Sequence, residues 1–172
     1  MKAKMFLSGM ALLAAMAPLA AMADAGPAFL RKHETNSADH QAIEKLLATY
    51  TTSLTNSDEA AFEALLIDDQ VPFSSTDEIV GRGGDAQPVV TRNYQSFRKS
   101  VFESGVRYTQ HFYNVHIDQD GPLAQVSLDF LTRETKGERG SYGWKTLQLV
   151  KLQGQWKIAS ELYTVRSLPG QS

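Results

Sequence analysis

The chain has 172 residues, 42% of them hydrophobic and 21% charged, with a formal net charge of −2 and a pI near 6.1. That is enough chain for one domain with a sizeable core, and the lack of a basic patch argues against a nucleic-acid partner. It has no cysteine, which excludes disulfides, thiolate nucleophiles, thiolate metal ligands and a lipid-bearing cysteine.

Residues 1–23 read as a secretory signal peptide. Lys2 and Lys4 give a positive start, Met5 to Leu19 is apolar apart from Ser8, and Ala21-Met22-Ala23 is a small-x-small cleavage site. The apolar run is short for a membrane span and carries Pro18 near its end. A periplasmic or secreted protein, cut after Ala23, is expected. Residues 24–38 follow as a polar leader with Gly26 and Pro27, and a helical turn over 28–32 is expected.

From Asp39 to Leu54 the apolar residues Ile43, Leu46, Leu47, Tyr50 and Leu54 fall on one helical stripe. Ser37 and Asp39 are candidate caps. Asn56 to Glu59 reads as the capped start of a second helix, whose buried side is Phe62, Leu65 and Leu66. Val71 to Ser75 and Glu78 to Val80 predict a short strand pair, with Pro72 marking an edge. The glycines of 81–85 belong to no phosphate-binding motif and read as a turn. Pro88 then opens a third helix with the stripe Val90, Tyr94, Phe97 and Val101, ended by Gly105.

Four long strands complete the domain. Val106 to Asp118 changes phase, which calls for a bulge near His111-Phe112. Asp120-Gly121 turns into Leu123 to Glu134, where Ala124, Val126, Leu128 and Phe130 share a face. After a charged loop comes Ser141 to Leu152, with Tyr142, Trp144, Thr146 and Gln148 on one face. Gln153-Gly154 leads into Gln155 to Val165, where Trp156, Ile158 and Leu162 share a parity. Residues 167–172 read as a tail. Helices bunched before strands mean an α+β domain over 39–166, with three helices packed in a curved, mainly antiparallel sheet.

This order of elements resembles the nuclear transport factor 2-like superfamily, which includes SnoaL-like polyketide cyclases and ketosteroid isomerase. The resemblance rests on the helix end Tyr50 to Asp58, the leucine pair with Asp68-Asp69, the Gly83 to Phe97 helix entry, and Gly154-Gln-Trp156-Lys-Ile158. It implies a cone-shaped α+β barrel with a cavity between helices and sheet, commonly dimeric through the sheet. It also implies that Tyr50 stands where the isomerase has an oxyanion-stabilising tyrosine. The isomerase's general base falls on Ser74 and its second oxyanion acid near Lys145 and Thr146, where this chain has no carboxylate. Steroid isomerisation is therefore not expected. Members of the superfamily include enzymes, binders and scaffolds, so the fold does not decide the chemistry.

Tyr50, Tyr113, Tyr142 and Trp144 are the candidate ligand-binding residues. His111 and Asp129 are the candidate catalytic pair, since a histidine and a carboxylate on neighbouring strands can do general acid–base work. The bland alternative puts both on the wet outer face of the sheet. His111 and His116 lack metal-ligand spacing on a strand, and no cofactor motif is present, so neither metal nor cofactor is expected. The leading expectation is an exported protein that binds a small apolar or aromatic molecule in its cavity. The rivals are a SnoaL-like cyclase, isomerase or dehydratase and a dimeric interaction module.

Overall fold

The computed structural model describes Pro27, Phe29, Leu30, residues 33–82 and residues 94–170. The fold below is that of the unit Lys32–Ser172. The signal-peptide segment, the turn at 28–32, the glycine-rich turn at 81–85 and the third-helix start at Pro88 lie outside the described residues or are only partly covered by them; residues 81–82 of that expected turn are helical.

Helix α1 (Ser37–Asn56) is the longest helix among the described residues, and its stripe of Ile43, Leu46, Leu47, Tyr50 and Leu54 is buried as its spacing requires. The cap is Asn36 rather than Ser37 or Asp39: its side chain accepts from the Asp39 backbone N–H at 3.0 Å. Ser57 then adopts a left-handed conformation, φ 53°, and closes the helix. Helix α2 (Glu59–Glu63) is capped by Asp58, not Asn56, which is spent as the last residue of α1.

Strand β1 (Phe73–Ser75) is an edge, as Pro72 implies, but it pairs in parallel with β5 (Gln155–Tyr163). The second half of the expected strand pair is instead helix α3 (Thr76–Arg82). Ser75 Oγ accepts from the Glu78 backbone N–H at 3.1 Å, and Asp77 and Glu78 sit in the first turn, where carboxylates favour a helix. These local contacts override the β-branched residues Ile79 and Val80. Helix α4 (Tyr94–Arg98) runs on into a wider π-helical turn, Lys99–Glu103.

The remaining strands are β2 (Tyr108–Asp120), β3 (Leu123–Glu134), β4 (Gly140–Leu152) and β6 (Arg166–Ser167). The sheet runs β1-β5-β4-β3-β2, with β6 beside β4. It is mixed, curved and open, with edges at β1 and β2, so it does not close into the barrel expected from the resemblance. The sheet also continues past residue 166: Ser167 pairs with Ser141, and Leu168 is buried.

Two bulges set which residues face the helices. The first breaks the β2–β3 register between Tyr113 and His116, with Asn114 at φ 50°, two residues beyond the expected position. Phe112 and Ile117 therefore both face the core despite opposite parity. The second lies on β5, where Ser160 pairs with Gln148 but Ile158 pairs with Leu149, leaving Ala159 unpaired. Beyond it the parity is reversed. Glu161 is buried, and Leu162, expected beside Trp156 and Ile158, faces outward at 43% exposure.

Candidate functional site

The inner row of β4 reads Gly143, Lys145, Leu147, Leu149, and all four are buried. A lysine in that row must find a partner inside the protein. The bulge at Ala159 supplies one by turning Glu161 inward. Lys145 Nζ lies 2.7 Å from Glu161 Oε1, with the two side chains 3% and 0% exposed. Tyr50 completes a triangle from α1. Its hydroxyl donates to Glu161 Oε1 at 3.1 Å and accepts from Lys145 Nζ at 2.8 Å.

Aromatic faces surround the ammonium. Lys145 Nζ is 4.6 Å from the Tyr50 ring centroid, 5.2 Å from Phe130, 5.4 Å from Tyr163 and 5.5 Å from Phe112. These distances suit cation–π attraction. Burial pushes the Glu161 carboxyl up and the Lys145 amine down, each toward its neutral form, and their mutual contact opposes both shifts. Burial, and then the Glu161 charge, hold the Tyr50 phenol well above its ordinary value, so it stays a hydrogen-bond donor.

Beside this triangle is a cavity of about 320 Å³. Phe97 and Val101 cover it from the helical side, and Tyr108, Phe130 and Tyr163 line it from the sheet. Lys145 and Glu161 form part of its wall, together with Gln110 and Glu78. Two of these residues carry buried acceptors with no hydrogen-bond partner among the described residues, Glu161 Oε2 and Gln110 Oε1. The Gln110 amide nitrogen is engaged, donating to Thr132 Oγ1 at 2.7 Å.

The residues expected from the sequence are divided between two faces. Tyr50 is at the polar cluster, but its hydroxyl is taken up by Glu161 and Lys145 and it does not itself line the cavity. His111, Tyr113, Asp129, Tyr142 and Trp144 lie on the outer face of the sheet, opposite the cavity. Tyr113 pairs with Asp129, which pairs with Trp144, and His111 pairs with Leu131, which pairs with Tyr142. The neighbours between them, Phe112, Phe130, Gly143 and Lys145, point to the core side. Asp129 accepts a hydrogen bond from Asn114 at 2.6 Å and is not joined to His111. The acid–base pair that does meet Tyr50 is Lys145 with Glu161. Arg98 is paired with Glu59 and Glu103.

A second polar cluster fixes the start of α1. The Asp39 carboxylate accepts from Lys151 Nζ at 2.5 Å, Asn36 Nδ2 at 2.7 Å, Gln119 Nε2 at 2.8 Å and Trp156 Nε1 at 3.0 Å. These bonds, that from Lys151 foremost, hold its carboxyl well below the usual carboxylate range. They tie the helix to β2, β4 and β5, which is a structural role. Among the described residues no group of three or more His, Asp or Glu is placed to hold a metal ion, and no helix is long and apolar enough to cross a membrane.

No protein-family model and no curated protein matches the chain. Solved structures do. A proposed scytalone dehydratase from Novosphingobium aromaticivorans is 19% identical, with 78% of this chain and 89% of that one covered at a TM-score of 0.59. A nuclear transport factor 2-like protein of unknown function from Pseudomonas putida is 12% identical, with 76% and 89% covered at 0.60. LinA is 12% identical, with 78% and 92% covered at 0.58. At these identities the likeness concerns the fold, and the chain has the nuclear transport factor 2-like fold.

Proposed function

We propose that the chain is an exported small-molecule-binding protein whose ligand occupies the cavity beside Lys145 and Glu161. One observation carries this reading: an apolar cavity of about 320 Å³ has a buried carboxylate in its wall with an unpartnered oxygen. Cavities of this size, mostly apolar with a few convergent polar groups, are where proteins hold small ligands. The positive start, apolar run and Ala21-Met22-Ala23 site of residues 1–23 support export. Native mass spectrometry of protein from its own exported fraction tests both points. The expected result is a mature chain beginning at Asp24 with one small molecule bound per subunit. A chain retaining residues 1–23, or a molecule retained equally well after Val101→Trp fills the cavity, contradicts the reading.

Acid–base catalysis is a second reading, favoured by the meeting of Lys145, Glu161 and Tyr50 at the cavity wall. A buried carboxyl shifted toward neutrality is suited to taking and returning a proton. This reading transfers the catalytic role from His111 and Asp129 to Glu161. Turnover would exchange carbon-bound hydrogens of a cavity ligand with deuterium from solvent, and Glu161→Gln would abolish that exchange. No exchange in the wild type leaves a binder.

We further propose that the outer sheet face is covered by a second copy of the chain. Trp144 is 52% exposed, Tyr113 50% and Leu162 43%, and Tyr142 joins them on the same face. Exposed aromatic and aliphatic groups gathered in this way mark a contact surface.

A further inference from the structure

We propose that the cavity selects its ligand by a hydrogen-bond donor: it takes a largely apolar molecule, neutral or cationic, that carries a hydroxyl or amine at its polar end, and it rejects carboxylates of the same shape. The inference rests on the cavity-binding reading and names the ligand class of that site.

The acceptors come first. Glu161 Oε2 and Gln110 Oε1 are both buried, both lack a hydrogen-bond partner among the described residues, and both belong to residues of the cavity wall. A buried acceptor left unpaired is costly, and a donor brought by a ligand removes that cost. A bond to a carboxylate oxygen is charge-assisted and correspondingly strong. Glu161 is held still for this purpose. Its other oxygen, Oε1, is fixed by Lys145 at 2.7 Å and Tyr50 at 3.1 Å. Its backbone N–H donates to Pro72 O at 2.8 Å. Oε2 therefore has a set position, which a selective contact needs.

The sign of the wall follows from the same residues. Among the described residues that line the cavity, Lys145 is the one lysine or arginine, and its ammonium is engaged by Glu161 and Tyr50. A ligand carboxylate would set its acceptor oxygens against Glu161 Oε2 and Gln110 Oε1 in a poorly solvated site whose lysine is already engaged. A hydroxyl or an amine donates to those acceptors instead. The rest of the lining includes Phe97, Val101, Tyr108, Phe130 and Tyr163, which suits an apolar or aromatic body.

Calorimetric titration of the full mature protein with matched probes tests the inference. Two skeletons, naphthalene and cyclohexane, each carry one of four substituents: hydroxymethyl, aminomethyl, carboxylate or methyl. Val101→Trp, which adds bulk at the helical wall of the cavity and leaves Glu161 in the sequence, is titrated alongside. The expected order has the alcohol and amine binding about 10-fold or more tighter than the methyl compound. The carboxylate should be weakest, and all binding should be lost in Val101→Trp. If binding is lost in Val101→Trp but the carboxylate binds tightest, or the methyl compound matches the alcohol, the donor rule is wrong and the cavity reading survives. If no probe binds, or binding persists in Val101→Trp, the cavity reading fails and the inference fails with it.

Discussion

Lys145 on β4 and Glu161 on β5 are diagonal cross-strand neighbours: Lys145 is opposite Tyr163, Glu161 is opposite Leu147, and their charged atoms meet at 2.7 Å inside the protein. Diagonal pairs lie within reach of long side chains. Removing two charges from water carries a large desolvation cost, which only mutual contact and further hydrogen bonds offset. Tyr50 supplies those bonds from the helix. Lys145→Met alone or Glu161→Leu alone should each cost about 3–5 kcal/mol, because the survivor is a buried unpaired charge. The double variant should lose far less than the sum of the two. Denaturant unfolding of the three variants checks this through the coupling energy; strictly additive losses would contradict it.

Tyr50→Phe removes only the hydroxyl, but that hydroxyl both donates to Glu161 and accepts from Lys145. The expected cost is about 1–3 kcal/mol of stability, as for other buried hydrogen-bonding groups that lose a partner. A change within error of wild type in denaturant unfolding would mean that the triangle does not depend on the phenol.

Asp39 predicts an acid limb. Its folded-state carboxyl is held well below its ordinary value of 3.8, chiefly by Lys151. Near that value the unfolded chain binds the proton more readily, so the stability contributed by Asp39 is complete above the ordinary range. It is lost as pH falls from about 5 downward. Asp39→Asn should be less stable at neutral pH and should show a shallower decline in acid. Parallel acid limbs for the two proteins would contradict the assignment.

Gly143 lies where β4 passes under the chain leaving β5. A Cβ there would sit 1.9 Å from the Thr164 carbonyl oxygen and 3.0 Å from a Phe130 ring carbon. The first obstacle is backbone, which cannot move aside as a flexible side chain would. Gly143→Ala should therefore destabilise by about 1–3 kcal/mol or more, the range of overpacked cores. Thermal unfolding at unchanged midpoint would show that the strands separate more easily than the structure implies.

Trp144→Asp tests the outer face. The tryptophan is half exposed and ends the cross-strand row Tyr113–Asp129–Trp144. Replacing an interface aromatic by a charge removes buried apolar area and sets a second carboxylate beside Asp129. Sedimentation should show dimers for the wild type and monomers of unchanged fold for the variant. Wild-type monomers would overturn the dimer reading.

The helix stripe and the four long strands were legible because their periods are simple. Ile43, Leu46, Leu47, Tyr50 and Leu54 follow the helical repeat, and Ala124 to Phe130 alternate without interruption. The site was not legible because it sits after a phase change. Counting by twos from Trp156 and Ile158 sends Leu162 inward and Glu161 outward, and the unpaired Ala159 reverses both. Nothing in the side chains of 158–160 announces that bulge. Lys145 did carry a signal. It stands in the same row as Leu147 and Leu149, and a cation in a core row implies a buried partner. The aromatic residues Tyr142 and Trp144 of the opposite face drew the reading outward instead.

The most direct test of the central claim, that the cavity beside Lys145 and Glu161 is the binding site, is amide-resolved NMR of the mature protein titrated with hydroxymethylnaphthalene. The account predicts saturable shifts concentrated at Phe97, Val101, Gln110, Phe130, Glu161 and Tyr163, all of which line the cavity. Shifts confined to Tyr113, Tyr142 and Trp144 on the outer face would contradict it, as would no shifts at all.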